Sequence, residues 1–365
     1  MKITKFFTLA FLLISALVLF VFANYKSNVF TNSGKSVILV IADGMGLGII
    51  SAYDYYKSEY LKEGYSNFKD FDGAFLVRTR SQDYVVTDSA AAATAFATGK
   101  RVPNYQVGVM ENNKRLPTIM DIAKSKGKST GIIVECSLTH ATPAAFYSYS
   151  KSRKDDQNIA SQFVYSNIDL AMGGGAKYFK PYYEILKKQN YTILENEDQL
   201  YQVIKEKRYI NKLLAFTAEK HPPKYSERKT KLNDKTQYAL SILSQNTNGF
   251  FLMIEASQID WFAHENKLKE EIEETEDLDK LIPVLLNYQK SNPNTLVILL
   301  SDHECGGLTL IDSQKSSFSL DFKVNYSSNY HTAEHTVGFY KGFIKPKAII
   351  DNTEVFEILY DYLKN

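Results

Sequence analysis

Four short runs of branched apolar residues place the strongest constraint on the fold of this 365-residue chain. They are SVILVIADG (36–44), STGIIVECS (129–137), FFLMIEAS (250–257) and TLVILLSDH (295–303). Continuous apolar runs of this length are typical of strands buried on both faces of a parallel sheet. Helical patterns lie between them, for example at 116–128 and 233–246. The alternation predicts an α/β fold with a central, mostly parallel sheet and helices on both faces.

The N-terminal segment, residues 1–23, reads as a targeting signal. Lys2 and Lys5 precede an uncharged apolar stretch at 6–23, and this order is typical of a secretory signal. The stretch also reaches the lower length limit of a membrane-spanning helix. A cleaved signal peptide and a retained N-terminal anchor therefore both stay open, and either predicts an exported protein, periplasmic or secreted.

Residues 24–35 read as a polar leader, and residues 36–365 as one domain without internal repeats. Within that domain, the Lys- and Tyr-rich part at 180–235 is interpreted as solvated helices and loops with surface charges. The net charge of +2 does not indicate the strongly basic surface that is typical of nucleic-acid-binding proteins. The two cysteines, Cys136 and Cys305, exclude a disulfide framework and a cysteine-based zinc site, and they allow one disulfide at most.

Acidic residues and histidines stand where the predicted strands end. Asp43 ends the first run, Glu255 the third, and Asp302 and His303 the fourth. The second run leads towards THAT at 139–142. Because ligands of open α/β sheets bind beyond the carboxyl ends of the strands, these side chains are expected to converge on one site.

The histidine pattern indicates a metal site. Of six histidines, only His221 looks incidental, because the others lie near strand ends or in HTAEH at 331–335. Asp260 and His264 are four residues apart, so a helix would place them on one face, as a metal pair requires. Histidines mixed with carboxylates favour zinc together with harder, oxygen-bound cations.

Taken together, the motifs resemble those of the alkaline phosphatase family. The matching stretches are VILVIADGMGLG, TDSAAAATAFATG, THATPAAFYSYSKSR, IEASQIDWFAH, LLSDHECGG and HTAEHTVGFYKG. Their order and spacing match as well as their content, over nearly all of residues 36–345. The resemblance implies a single catalytic domain with the predicted sheet. The short interval between His303 and His331 implies a reduced form of the extra "crown" region of many members.

The resemblance also assigns the alanine-rich stretch at 85–100. Taken alone, that stretch predicts a helix with a serine N-cap and Gly99 as its stop signal. By resemblance, Ser89 is the nucleophile that becomes phosphorylated and Asp88 is its supporting neighbour. A helix N-terminus suits a phosphate because its free N–H groups and partial positive charge attract anions.

Two zinc ions and one magnesium ion per chain are implied by the resemblance. The first zinc set is Asp260, His264 and His331; the second is Asp43, Asp302 and His303; the third site, usually magnesium, adds Thr142 and Glu255 to Asp43. His331 is preferred to His335 because TVGFY at 336–340 reads as the start of a strand. In addition, the number of residues between His331 and Gly342 matches the spacing between the zinc ligand and the corresponding glycine in the family.

Arg153 corresponds to the family arginine that grips two phosphoryl oxygens, although alone it would read as a surface residue of KSRK. His140 and Trp261 depart from the pattern of other members and leave the identity of the third metal open. The implied substrates are small-molecule phosphate monoesters, and monomer and homodimer stay open. A phosphodiesterase or sulfatase on the same scaffold, and a non-catalytic phosphate-binding protein, are the alternatives.

Overall fold

The protein is described from a computed structural model that covers residues 34–112, 114–315 and 320–364. The predicted signal or anchor at 1–23 lies outside the described residues, as does most of the polar leader. The strands are β1 Ser36–Ala42, β2 Gly73–Arg78, β3 Met110–Glu111, β4 Lys114–Arg115, β5 Ser129–Ser137, β6 Leu170–Gly174, β7 Thr192–Leu194, β8 Leu213–Ala218, β9 Phe250–Ala256, β10 Thr295–Leu300, β11 Glu304–Cys305, β12 Leu308–Lys315, β13 Leu320–Tyr326, β14 His331–Thr332, β15 Thr336–Lys341 and β16 Ile349–Asp351.

Helices separate most of these strands. The α-helices are α1 Leu47–Tyr55, α2 Ser89–Thr98, α3 Ile119–Ser125, α4 Ala141–Ala144, α5 Asp156–Ser166, α6 Ala176–Phe179, α7 Tyr183–Lys188, α8 Glu197–Lys205, α9 Leu232–Leu243, α10 Gln258–His264, α11 Leu268–Ser291 and α12 Asn352–Lys364. A π-helical turn spans Tyr56–Leu61, and 3₁₀ turns span Asn67–Asp70, Lys180–Tyr182 and Tyr225–Glu227.

Ten strands form one central sheet in the order β16-β2-β15-β10-β1-β9-β5-β6-β8-β7. The four apolar runs are β10, β1, β9 and β5, adjacent and parallel at its centre. β15 runs antiparallel to both of its neighbours. The predicted mostly parallel α/β sheet is confirmed, and so is the strand predicted at 336–340.

Both faces of the sheet are covered by apolar side chains from helices. In β1, Val37, Leu39 and Ile41 pack into one core cluster, which includes Phe96 of α2. Ile38 and Val40 point to the opposite cluster, which includes helix α11. Side chains of a strand alternate between faces, so a run that is apolar at every position needs a core on each side.

The interpretation of residues 180–235 as solvated helices and loops is partly wrong. Residues 213–218 form β8, an inner strand of the sheet with buried residues. Arg228 is 4% exposed and pairs with buried Glu274 and Asp277. The sequence pattern is misleading because this strand is short, and because the charge of Arg228 is paired inside the protein rather than solvated.

A two-stranded hairpin, β12–β13, occupies the segment between His303 and His331. It lies where the resemblance predicts a reduced crown. No helix within the described ranges is both long enough and apolar enough to cross a membrane.

Candidate active site

Four neighbouring strands bring the predicted site residues to one edge of the sheet. Asp43 follows β1, Glu255 lies near the end of β9, and Asp302 and His303 follow β10. The loop after β5 leads into α4, which carries Thr142. Since these strands are parallel neighbours, their carboxyl ends meet and the predicted convergence is present.

Asp43, Asp302 and His303 form the first cluster, with one possible ligand atom of each within 4.8 Å of the others. Nε2 of His303 lies 3.4 Å from Oδ1 of Asp43 and 3.4 Å from Oδ2 of Asp302. All three residues are fully buried. The backbone N–H of Gly44 donates to Oδ1 of Asp302 over 3.2 Å and fixes that carboxylate.

Asp260, His264 and His331 form the second cluster, which also includes Cys305. Nε2 of His264 and Nε2 of His331 each lie 3.5 Å from a carboxylate oxygen of Asp260. Asp260 and His264 share one face of α10, as their spacing predicted.

Both histidines of this cluster are oriented by backbone carbonyls. The Nδ1 atoms of His264 and His331 each lie 2.8 Å from a carbonyl oxygen, of Asn329 and Thr87 respectively. A Nδ1–H donated to a carbonyl leaves the lone pair of Nε2 free for a metal, and this arrangement is usual for metal-bound histidines.

His331 and His335 are clearly separated by the fold. Pairing of β14 with β11 places His331 opposite Cys305, and Tyr330 stacks on its ring at 4.5 Å between centroids. His331 is buried, whereas His335 is exposed and lies before β15. Of the two histidines, only His331 faces Asp260. Sequence analysis did not identify Tyr330 as a residue of this site.

Cys136, His140 and Glu255 form a third cluster. Sγ of Cys136 lies 3.2 Å from Oε2 of Glu255. Thr142, which the sequence analysis assigned to this site, is fully buried nearby on α4. Cys136 was not predicted as part of the site. Both cysteines are free, so the open question of a Cys136–Cys305 disulfide is answered in the negative.

Trp261 and His221 pack around His140. The His140 ring lies 5.9 Å from each of them between centroids, and His221 and Trp261 are 4.9 Å apart. The backbone N–H of Ser137 donates to Nδ1 of His221 over 3.1 Å. The interpretation of His221 as incidental is therefore wrong. It lies in an ambiguous segment with no motif, and only the fold brings it to His140.

Ser89 is the first residue of α2, and its Oγ lies 3.2 Å from Nε2 of His303. The N-cap is Asp88, not the serine: Oδ1 of Asp88 accepts from the N–H of Ala91 over 3.0 Å. Gly99 ends the helix in the left-handed conformation, as predicted. Because Asp88 caps the helix, the hydroxyl of Ser89 is free to face the cluster that contains His303.

Arg153 is anchored beside the serine. Its NH1 donates to Oδ2 of Asp88 over 2.9 Å, and its NH2 lies 3.4 Å from Nε2 of His140. The N–H of Arg153 donates to the carbonyl of Tyr105 over 2.7 Å. Tyr105 adopts a positive φ of 69°, which is uncommon for a residue other than glycine, and its carbonyl fixes the backbone of Arg153 while Asp88 holds the guanidinium.

Burial and mutual repulsion shift the pKa values of the carboxyl groups. Burial raises the pKa of Asp43 well above its ordinary value, and Asp302 and Asp260 raise it further. Burial also raises the pKa values of Glu255 and Asp302 to about 7. Burial acts to raise the pKa of Asp260 too, but the facing histidines, led by His331, lower it overall. The pocket thus concentrates negative charge and suits multivalent cations.

Buried polar atoms without a hydrogen-bond partner in the described chain are concentrated at these clusters. They include both carboxylate oxygens of Asp43, Oδ1 of Asp260, Oδ2 of Asp302, Oε1 of Glu255, Oγ1 of Thr142, Nδ1 of His140 and Nδ1 of His303. Unpartnered buried polar atoms are costly. Divalent cations between these donors would satisfy most of them, so the residues fit the implied metals.

The alkaline phosphatase family model matches residues 34–355. The chain belongs to the alkaline phosphatase family. Alkaline phosphatase 4 of Bacillus subtilis is 34% identical over 294 residues, which cover 76% of this chain and 62% of that protein. The chain spans the same share, 62%, of Bacillus subtilis alkaline phosphatase 3 at 33% identity.

Solved alkaline phosphatases share the fold. The enzyme of the Antarctic bacterium TAB5 is 33% identical with a TM-score of 0.78, and the match covers 91% of this chain and 98% of that one. A TAB5 variant with aspartate in place of a histidine has been solved with magnesium bound in its M3 site. The predicted family and fold class are confirmed by these relatives.

Proposed function

We propose that this protein is an exported, metal-dependent phosphate-monoester hydrolase that acts through a phosphoserine at Ser89. The observation that carries this proposal is the position of the Ser89 hydroxyl, 3.2 Å from Nε2 of His303, at the start of a helix. This arrangement brings together a nucleophile, a helix N-terminus that can bind an anion, and a cluster of groups that can bind metal ions.

The proposed ligand sets are those implied by the family. Asp260, His264 and His331 hold one zinc; Asp43, Asp302 and His303 hold a second; and Asp43, Thr142 and Glu255 hold a third divalent cation, with His140 and Trp261 beside it. When bound, the zinc pair supplies Lewis acidity for the entering and leaving oxygens of an in-line displacement. The magnesium-bound TAB5 variant supports metal dependence of the third position.

The side chains of this chain perform the remaining work. The hydroxyl of Ser89 gives up its proton and attacks phosphorus, the bond from phosphorus to the substrate oxygen breaks, and the alcohol leaves with a proton. Water then attacks the phosphoserine ester and releases inorganic phosphate and free Ser89. Arg153 binds two oxygens of the phosphoryl group through its planar guanidinium. Asp88 holds Arg153 and caps α2, so one carboxylate positions both the phosphate-binding group and the nucleophile.

The two rival functions make different demands on the site. A phosphodiesterase or sulfatase acts on a monoanionic group, for which the positive charge of Arg153 is less useful. A phosphate-binding protein needs cations and donors, but it does not need a serine hydroxyl within reach of the ligand clusters. Ser89 beside His303 thus favours a hydrolase, and Arg153 favours a dianionic monoester.

Turnover of three chromogenic p-nitrophenyl substrates tests the proposal. The phosphate monoester, the bis-ester and the sulfate are compared on zinc- and magnesium-loaded protein, with Ser89→Ala as the matched control. We expect the monoester to be preferred by orders of magnitude in kcat/KM. Preference for the diester or sulfate supports the other hydrolases, and phosphate binding without any turnover supports the binding protein.

A further inference from the structure

Cys136 lies in the third cluster, at a position where it can contribute a sulfur ligand. It is the penultimate residue of β5 and is fully buried. Its Sγ lies 3.2 Å from Oε2 of Glu255, and a ring nitrogen of His140 and an oxygen of Glu255 lie within 4.8 Å of it. Three different donor types therefore face one small volume.

The oxygen donors around Cys136 also point to a ligand. Glu255 is fully buried, and its Oε1 has no hydrogen-bond partner in the described chain, nor does the Oγ1 of buried Thr142. Nδ1 of His140 is likewise unpartnered. The Cys136 thiol faces Oε2 of Glu255 and the carbonyl oxygen of Ser137, so it is a partner of none of these three atoms. A cation among them would satisfy several at once.

We propose that Cys136 is a ligand of the third metal position and makes that position selective for zinc over magnesium. Magnesium takes oxygen ligands in octahedral geometry, whereas zinc accepts sulfur and nitrogen in tetrahedral sites. Cys136, His140 and Glu255 provide sulfur, nitrogen and oxygen. The inference rests on the metal centre of the proposed function and differs from it in naming a new ligand and a different third cation.

Charge balance permits a thiolate in this position. Asp43, Glu255, Asp260 and Asp302 bring four negative charges when ionised, and three divalent cations bring six positive ones. Binding of zinc to Cys136 would release the thiol proton to solvent. The resulting thiolate would bring the total to five negative charges, which is still below the six positive charges of the cations.

A serine substitution separates metal ligation from hydrogen bonding. In Cys136→Ser the hydroxyl can still donate to Glu255, but the soft sulfur is lost. Cys305→Ser is the matched control, because Cys305 is the other cysteine of the sequence and lies in the second cluster. The metal-free proteins are loaded with zinc chloride in excess magnesium chloride, dialysed, and analysed for both metals.

We expect the parent protein to retain three zinc ions per chain and Cys136→Ser to retain two, with magnesium in the third position. Substitution with cobalt chloride gives an independent reading, since a thiolate-to-cobalt charge-transfer band should appear in the parent and in Cys305→Ser but not in Cys136→Ser. Equal zinc content and an unchanged band in Cys136→Ser would overturn the proposal.

A measurement on the unaltered protein covers the case in which Cys136→Ser does not fold. Zinc-edge X-ray absorption of the parent should contain a zinc–sulfur distance of about 2.3 Å, and Cys305→Ser should retain it. Zinc without any sulfur neighbour refutes ligation by Cys136 but leaves the phosphatase proposal intact. Failure to bind zinc at all refutes both.

Discussion

Oγ of Ser89 and Nε2 of His303 lie 3.2 Å apart, although 214 residues separate them in the chain. The contact joins the N-terminus of α2 to the segment that follows β10. Because His303 also lies within 3.4 Å of Asp43 and Asp302, a ligand bound at this cluster would touch the serine directly.

Ser89→Ala is expected to retain its metals and fold but to lose most phosphomonoesterase activity. The substitution removes the nucleophile while Asp88 still caps the helix, so α2 should remain intact. We expect a loss of at least about a thousandfold in kcat, the scale of removing a covalent nucleophile. Acid quenching of the parent with labelled phosphate should label Ser89; label on another residue would contradict the assignment.

His331→Ala should lose zinc, whereas His335→Ala should keep it. His331 is buried against Asp260 and has its Nδ1 fixed by the carbonyl of Thr87, while His335 is exposed. Loss of one of three protein ligands opens the metal site. Zinc per chain and turnover are measured for both variants, and the opposite pattern would transfer the ligand role to His335.

His140→Asp should increase the affinity of the third position for magnesium. A carboxylate supplies the hard oxygen that magnesium prefers, in place of an imidazole whose pKa is lowered to about 3 by burial and by the charge of Arg153. Magnesium titration of the zinc-loaded proteins measures the difference. Equal magnesium affinity in parent and variant would count against a role of His140 at this position.

Arg153→Lys should weaken monoester turnover through the loss of bidentate binding. A hydrogen bond to a charged group contributes about 1.5–3 kcal/mol, which corresponds to a loss of roughly 10- to 100-fold in kcat/KM. Phosphate inhibition should weaken in parallel. Lys154→Arg is the control, since Lys154 is the exposed neighbour in the same basic run; an equal loss in both variants would show that the effect does not come from bidentate binding at Arg153.

Glu271→Gln should reduce the pH dependence of stability. Burial raises the pKa of Glu271 to about 7 in the folded protein, although Tyr326 donates a hydrogen bond to it. The folded state thus binds the proton more tightly, and its stability falls as pH rises from the ordinary glutamate pKa through about 7. At pH 8 the ionised carboxylate costs about 3 kcal/mol, which glutamine avoids.

Denaturant unfolding at pH 5 and pH 8 checks this prediction. The variant should be the more stable protein at pH 8 and close to the parent at pH 5. Glu184→Gln is the control, because the side chain of Glu184 is 83% exposed and should show no such change. A variant with the full pH dependence of the parent would show that another group is responsible.

Most of the central sheet was predictable because its signals are local, whereas the grouping of the ligand sets came from the family resemblance. An apolar run at 36–42 needs two covering layers wherever it lies, and the residue at its carboxyl end faces the ligand edge. Asp260 and His264 share a helix face by spacing alone. Strand β8 and the buried pairs of Arg228 were not predictable, since neither charge pairing nor burial is visible before distant segments pack together.

The sequence by itself determined the fold class, the family, and which side chains stand at the ends of the strands, because periodicity and strand termini are properties of consecutive residues. The tertiary structure decided which of these side chains meet. It brought Ser89 to His303, His221 to Trp261 and Cys136 to Glu255. Each depends on distances between segments far apart in the chain, which are fixed only when the sheet and its helices pack.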